Sequence, residues 1–195
     1  MRPSSRDRHS YGDLARPTLP RPSCRVRLVC GPPASGKSTF VRLNAKPDDI
    51  VIDFDGIARE MGYGRDRPAS SLEPVLEVRN DRLAALSREP RDRVAWVILT
   101  APSKALRAWW RGQLNVAAED LTVIVPPRGV LRSRIFQDPD RPGLKLKLHQ
   151  MEIVDRWFRR EAANDPGVFR SGCGVSGDPS DPLHPWNEVE GDDEH

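Results

Sequence analysis

A hexapeptide at residues 25–30, RVRLVC, apolar at four of its positions, runs straight into Gly31-Pro32-Pro33-Ala34-Ser35-Gly36-Lys37-Ser38-Thr39, and helical periodicity opens at Lys37. No other feature constrains the fold so tightly. The spacing GxxxxGK[ST] needs a buried strand before it and a helix after it, so it fixes a strand–loop–helix unit. Gly31 and Gly36 let the backbone wrap round an anion with successive N–H groups aimed at its oxygens. The helix adds its positive N-terminal end. In such a loop Lys37 reaches the β- and γ-phosphates and the Ser38 hydroxyl ligates a metal. Residues 31–39 therefore predict binding of a nucleoside triphosphate, ATP with Mg²⁺.

The chain has 195 residues, room for one ordinary domain with tails. Short apolar runs alternate with helical patterns. Strands are expected at 25–30, 49–54 (DIVIDF), 94–99 (VAWVIL) and 121–125 (LTVIV). Helices are expected from Lys37 to Asn44, over 57–61, 72–87 and 104–113, and over 144–158 with a stripe of Leu144, Leu148, Met151, Val154 and Phe158. This order predicts an α/β fold of three layers, a mostly parallel sheet with helices on both faces, over residues 25–163. Residues 1–24, rich in Pro, Arg and Ser, are expected to be a flexible basic lead-in. Residues 164–195, closing on the acids between Glu188 and Glu194, are expected to be a disordered acidic tail.

The overall charge of +3 hides an asymmetry, because residues 164–195 set eight acids against Arg170. The body between the tails is thus clearly basic, which suits a phosphorylated or nucleic-acid partner or a plain solvated surface. Cys24, Cys30 and Cys173 form no metal-binding spacing, and no run is long enough to span a membrane. A soluble cytoplasmic protein is the expectation.

Asp53 and Asp55 close the second apolar run at i and i+2. On a strand they would share a face and overlook the crevice at its carboxyl end. One acid could then hold the Mg²⁺ shell and the other accept a proton from a hydroxyl. The alternative is a helix cap or a solvated turn. The third run ends in Leu99-Thr100-Ala101-Pro102-Ser103, without the carboxylate a motor ATPase uses to position metal and water. Thr100 or Ser103 could touch a metal-bound water there.

Phosphate loop, short helix and strand-Asp-x-Asp resemble the small P-loop kinases, most closely the 5′-hydroxyl polynucleotide kinases and their zeta-toxin-like relatives, among AAA-type ATP-binding proteins. The resemblance covers residues 25–163 and implies a P-loop NTPase domain with phosphotransfer to a hydroxyl. Asp55 matches the acid that activates the acceptor. Ala58 stands where the family places an Arg for an acceptor phosphate, with Arg59 after it, and residues 100–102 depart from the family's Asp-x-Asn-like signature. Shikimate-kinase-like enzymes also use an Asp-x-Asp here, without their later glycine-rich motif in this chain.

Arg128, Arg132, Arg134 and Arg141 fall in a stretch, 128–143, without clear periodicity. By position it resembles the mobile lid of these kinases, with Arg134 and Arg141 as its paired arginines. Trp109 and Trp110, flanked by Arg107 and Arg111, could stack bases or serve the core. The leading expectation is an ATP-dependent kinase acting on a hydroxyl acceptor, with a polynucleotide 5′ end as candidate. Two other readings stand beside it. One is a nucleotide-dependent ATPase or accessory module on DNA, and the other a P-loop remnant whose tails recruit partners.

Overall fold

The computed structural model describes residues 14–164. Its strands β1 (Arg25–Cys30), β2 (Ile50–Asp53), β3 (Val94–Leu99) and β4 (Leu121–Val123) form one parallel sheet in the order β2-β3-β1-β4. The helices are α1 (Lys37–Asn44), α2 (Phe54–Glu60), α3 (Leu72–Ala85), α4 (Lys104–Gln113), α5 (Arg128–Gln137) and α6 (Leu144–Asn164).

β1 and β3 are the central strands, paired from Arg25 opposite Val94 to Cys30 opposite Leu99. Covered on both faces, they are apolar nearly throughout. Strand alternation then sorts the side chains. Leu28, Cys30 and Val97 join Leu83 of α3 and Trp110 of α4 in the larger core. Val29, Trp96 and Ile98 point the other way, against Val41 of α1. Fully buried leucines such as Leu28 and Leu83 each contribute about 1.5–3 kcal/mol.

Several expectations need correction. The second strand does not carry both acids: it ends at Asp53, and Asp55 lies in the first turn of α2. The turn comes early because Phe54, Ile57 and Ala58 bury themselves in the larger core, which winds the chain into a helix at once. The stretch 128–143 is not irregular throughout, since 128–137 is helical and buries Leu131 and Ile135 against Val154 of α6. The stripe on α6 holds only in its later part, where Met151, Val154 and Phe158 pack with Leu131 and Ile135. Leu144 and Leu148 are exposed, whereas Ile153, Val154 and Trp157 are buried, and the first turn meets α5 through Lys147, which donates to the Phe136 carbonyl.

The flexible lead-in does not extend over residues 14–24. Ala15 is buried, Arg79 and Asn80 of α3 donate to the Leu14 carbonyl, and the Ser23 amide donates to Leu86. Residues 1–13 of that segment, and the acidic tail beyond Asn164, lie outside the described residues. Among the described residues no helix is long and apolar enough to cross a membrane.

One long-range ion pair anchors α6 to the end of β3. Buried Arg107 of α4 donates to the Ala101 carbonyl at 3.0 Å and to both Glu161 oxygens at 2.9 and 2.8 Å. Trp157 Nε1 donates to the Thr100 carbonyl beside it. Arg107 thus serves the fold, and Trp110 is core while Trp109 packs half-buried beside it.

Candidate functional site

β1, β2 and β3 all end at one crevice of about 900 Å³, the side where parallel sheets of this kind bind ligands. The phosphate loop forms its floor. Gly31 approaches β4 so closely that a Cβ there would stand 2.3 Å from the Ile124 carbonyl oxygen. Ala34 and Gly36 adopt φ of 59° and 95°, the left-handed geometry that curls a loop back on itself. For Ala34 this is a strained conformation, of the sort that collects at ligand clamps. Gly36 is the N-cap of α1 and supplies no side chain to its free amides.

Gly31 and Pro32 are buried beneath the crevice, and their carbonyls accept from Lys37 Nζ, each at 2.8 Å. Pro33, Ala34, Ser35, Gly36, Lys37, Ser38 and Thr39 line the wall. Ser35 is buried, and its hydroxyl has no hydrogen-bond partner among the described residues. An orphaned hydroxyl, curled amides and an enclosed lysine fit a polyphosphate.

Asp53 and Asp55 reach the same crevice from β2 and α2. Ser38 Oγ donates to Asp53 Oδ2 at 3.3 Å, so two hard oxygens stand together at the mouth of the loop. Mg²⁺ takes such ligands while keeping waters and substrate phosphates. Burial pushes the Asp53 carboxyl up, helped by the charge of Asp55 and opposed by the Ser38 bond and Lys37. Asp55 is half-exposed and paired with Arg67 at 3.1 Å and Arg65 at 4.0 Å.

Of the four arginines expected in the lid, two line the crevice. Arg134 donates to the Ala34 carbonyl at 3.3 Å, and Arg141 is buried and bound to Asp138. Burial lowers the Arg141 pKa, as does the neighbouring charge of Arg65. Arg128 instead pairs with Asp155 over the Phe158 ring, and Arg132 does not reach the crevice wall. Ser103 caps α4 through the Leu106 amide. Sequence reasoning passed over Arg65 and Arg67, which sit in the stretch 62–68 that reads only as a helix break. The signal available there was the Arg-Asp-Arg run itself.

Burial also lowers the Lys37 pKa to about 8, against the pull of Asp53 and Asp55. The folded value lies below the unfolded one, so between pH 8 and about 10.5 the unfolded chain holds more of this proton. Stability contributed by Lys37 therefore rises with pH across that window. Nucleotide binding has the opposite dependence, because phosphate favours the ammonium. In EDTA, ATP affinity is expected to fall up to about tenfold between pH 8 and 9, with uptake of about one proton at the higher pH. Calorimetry in buffers of different ionisation enthalpy reads that proton, and uptake that stays the same from pH 7 to 9 would show that Lys37 is not its source.

A parallel sheet whose first strand opens into a phosphate-binding loop, with an enclosed lysine at its base, defines a P-loop nucleotide-binding domain. The chain belongs to the AAA domain family, whose profile matches residues 26–159. No curated protein matches it. Among solved structures it is similar to shikimate kinase from Acinetobacter baumannii in complex with shikimate. The identity is 19% and the TM-score 0.40, over 73% of this chain and 79% of that one.

Proposed function

We propose that this protein transfers the γ-phosphoryl group of ATP to a hydroxyl of a second substrate. The observation that carries the reading is the meeting of Asp53 and Asp55 with the phosphate loop in one crevice, while β3 ends without a carboxylate. In this reading residues 31–39 hold the triphosphate, and Lys37 turns from the Gly31 and Pro32 carbonyls to the phosphates. Ser38 and Asp53 hold Mg²⁺, which when bound neutralises charge on the phosphate oxygens.

Asp55 takes the proton of the acceptor hydroxyl as its oxygen forms a bond to the γ-phosphorus. The bond from that phosphorus to the β,γ-bridging oxygen breaks, and its electron pair leaves on ADP. Arg134 and Arg141 stabilise charge on the group in transit, as in the lid of the kinases this chain resembles. A polynucleotide 5′-hydroxyl is the acceptor that the resemblance at Asp55 supports, and the basic character of the crevice agrees with it. Protein incubated with γ-labelled ATP and a panel of hydroxyl-ended oligonucleotides, nucleosides and small alcohols should label at least one. No transfer at ATP concentrations that saturate binding would exclude these acceptors.

A further inference from the structure

We infer that the acidic residues 188–194 of this chain lie in its own crevice while no nucleotide is bound, and leave it as ATP binds. This depends on nucleotide binding by residues 31–39, and not on what receives the phosphate.

The empty crevice holds donors that its own acids do not meet. Lys37 and Arg134 are held there by main-chain carbonyls, those of Gly31 and Pro32 and that of Ala34, and not by carboxylates. Asp55 is shared between Arg65 and Arg67. The Ser35 hydroxyl and Arg141 Nε are buried without a hydrogen-bond partner among the described residues. At the start of α1 the free amides and the helix dipole favour a carboxylate as they favour a phosphate.

The same chain carries such oxyanions and starts them at this place. No Lys or Arg occurs from Ser171 to His195, and five acids, Glu188, Glu190, Asp192, Asp193 and Glu194, fall within seven residues. The chain leaves α6 at the rim of the crevice. Trp157 donates to the carbonyl of Thr100, which lines the crevice, and Glu161, one turn on, binds Arg107. Asn164, the last described residue, is therefore about 10 Å along the helix from the Trp157 contact. Residues 165–187 reach up to about 75 Å when extended, several times what is needed. Tethered there, the acids meet the crevice at an effective concentration of about millimolar. A weak intrinsic affinity then suffices to keep them in place, and a second copy at ordinary concentration competes poorly. ATP at sufficient concentration displaces them, so the acidic segment sets a threshold for nucleotide binding.

The test uses the full chain with Glu188→Gln, Glu190→Gln, Asp192→Asn, Asp193→Asn and Glu194→Gln combined. A control neutralises five exposed acids away from the crevice, Glu73, Glu77, Asp81, Asp92 and Glu119. At low salt the tail variant should bind ATP with Mg²⁺ about tenfold more tightly than wild type, and the control less than about twofold. In 1 M salt, where the Debye length is about 3 Å, the advantage should vanish. Without nucleotide, amide exchange in residues 31–39 should be about tenfold faster in the tail variant than in wild type. An ATP Kd equal to wild type, a control that gains as much, or a gain that survives 1 M salt overturns the inference. A gain that grows with protein concentration assigns the segment to the crevice of a second copy and overturns it for the same molecule. Faster exchange in the tail variant while neither protein binds ATP keeps the docked segment and removes the nucleotide reading. Unchanged exchange with no ATP binding removes both.

Discussion

Asp55→Asn is expected to lower phosphoryl transfer roughly 10²–10⁴-fold, the range for loss of a positioned general base, and to leave ATP affinity unchanged. The amide keeps the shape of the side chain but cannot take the acceptor proton. In the proposed function ATP contacts lie on the phosphate loop, while Asp55 enters the crevice from the first turn of α2 and is half-exposed. Loss of its ion pairs with Arg65 and Arg67 should cost at most about 1 kcal/mol at so open a position. A thermal midpoint close to wild type therefore separates lost chemistry from lost structure. The same variant discriminates between functions. A nucleotide-dependent accessory module on DNA keeps its biological activity with Asn at position 55, and a kinase does not.

Lys37→Met should abolish measurable ATP binding without destabilising the free protein. The ammonium sits under the loop with two carbonyl partners, and burial holds its pKa down to about 8 despite the pull of Asp53 and Asp55. A charge held against such a penalty contributes little to the stability of the empty fold. Its value appears when phosphate arrives, since hydrogen bonds to charged groups are worth about 1.5–3 kcal/mol each. Melts with and without nucleotide read both halves. ATP at a hundred times its Kd should stabilise the wild type by about 2.7 kcal/mol, and the variant by nothing. A variant that melts well below the free wild type would show instead that Lys37 is a structural pin of the loop.

Much of the scaffold was readable along the chain. β1, β3, α1 and α4 have the bounds their periodicity predicts, because two central buried strands and two amphipathic helices write their environment into adjacent residues. Asp55 was misplaced onto β2 for an equally local reason. Alternation of apolar residues continues through Phe54, and nothing nearby says that Phe54 starts a helix. Its burial beside Ile57 and Ala58 decides that, and those contacts belong to the packed core. In α6 the repeat runs evenly from Leu144 to Phe158, yet Leu144 and Leu148 stay exposed while Met151, Val154 and Phe158 pack on α5. Periodicity marks a face and not its partner.

For the phosphate loop, the sequence alone determined the essential arrangement: an apolar strand, nine residues with their glycines and lysine in order, and a helix. Those constraints act between neighbours, so spacing suffices to state them. Tertiary structure decided the company the loop keeps. Arg67 over Phe54 and against Asp55, Arg141 facing Arg65, Arg134 on the Ala34 carbonyl, and Arg107 on Glu161 join residues from different elements. In a chain so rich in arginine, composition cannot tell which guanidiniums meet the ligand. Only packing brings a few of them to the carboxyl ends of the strands and sets others, such as Arg107, into the fold.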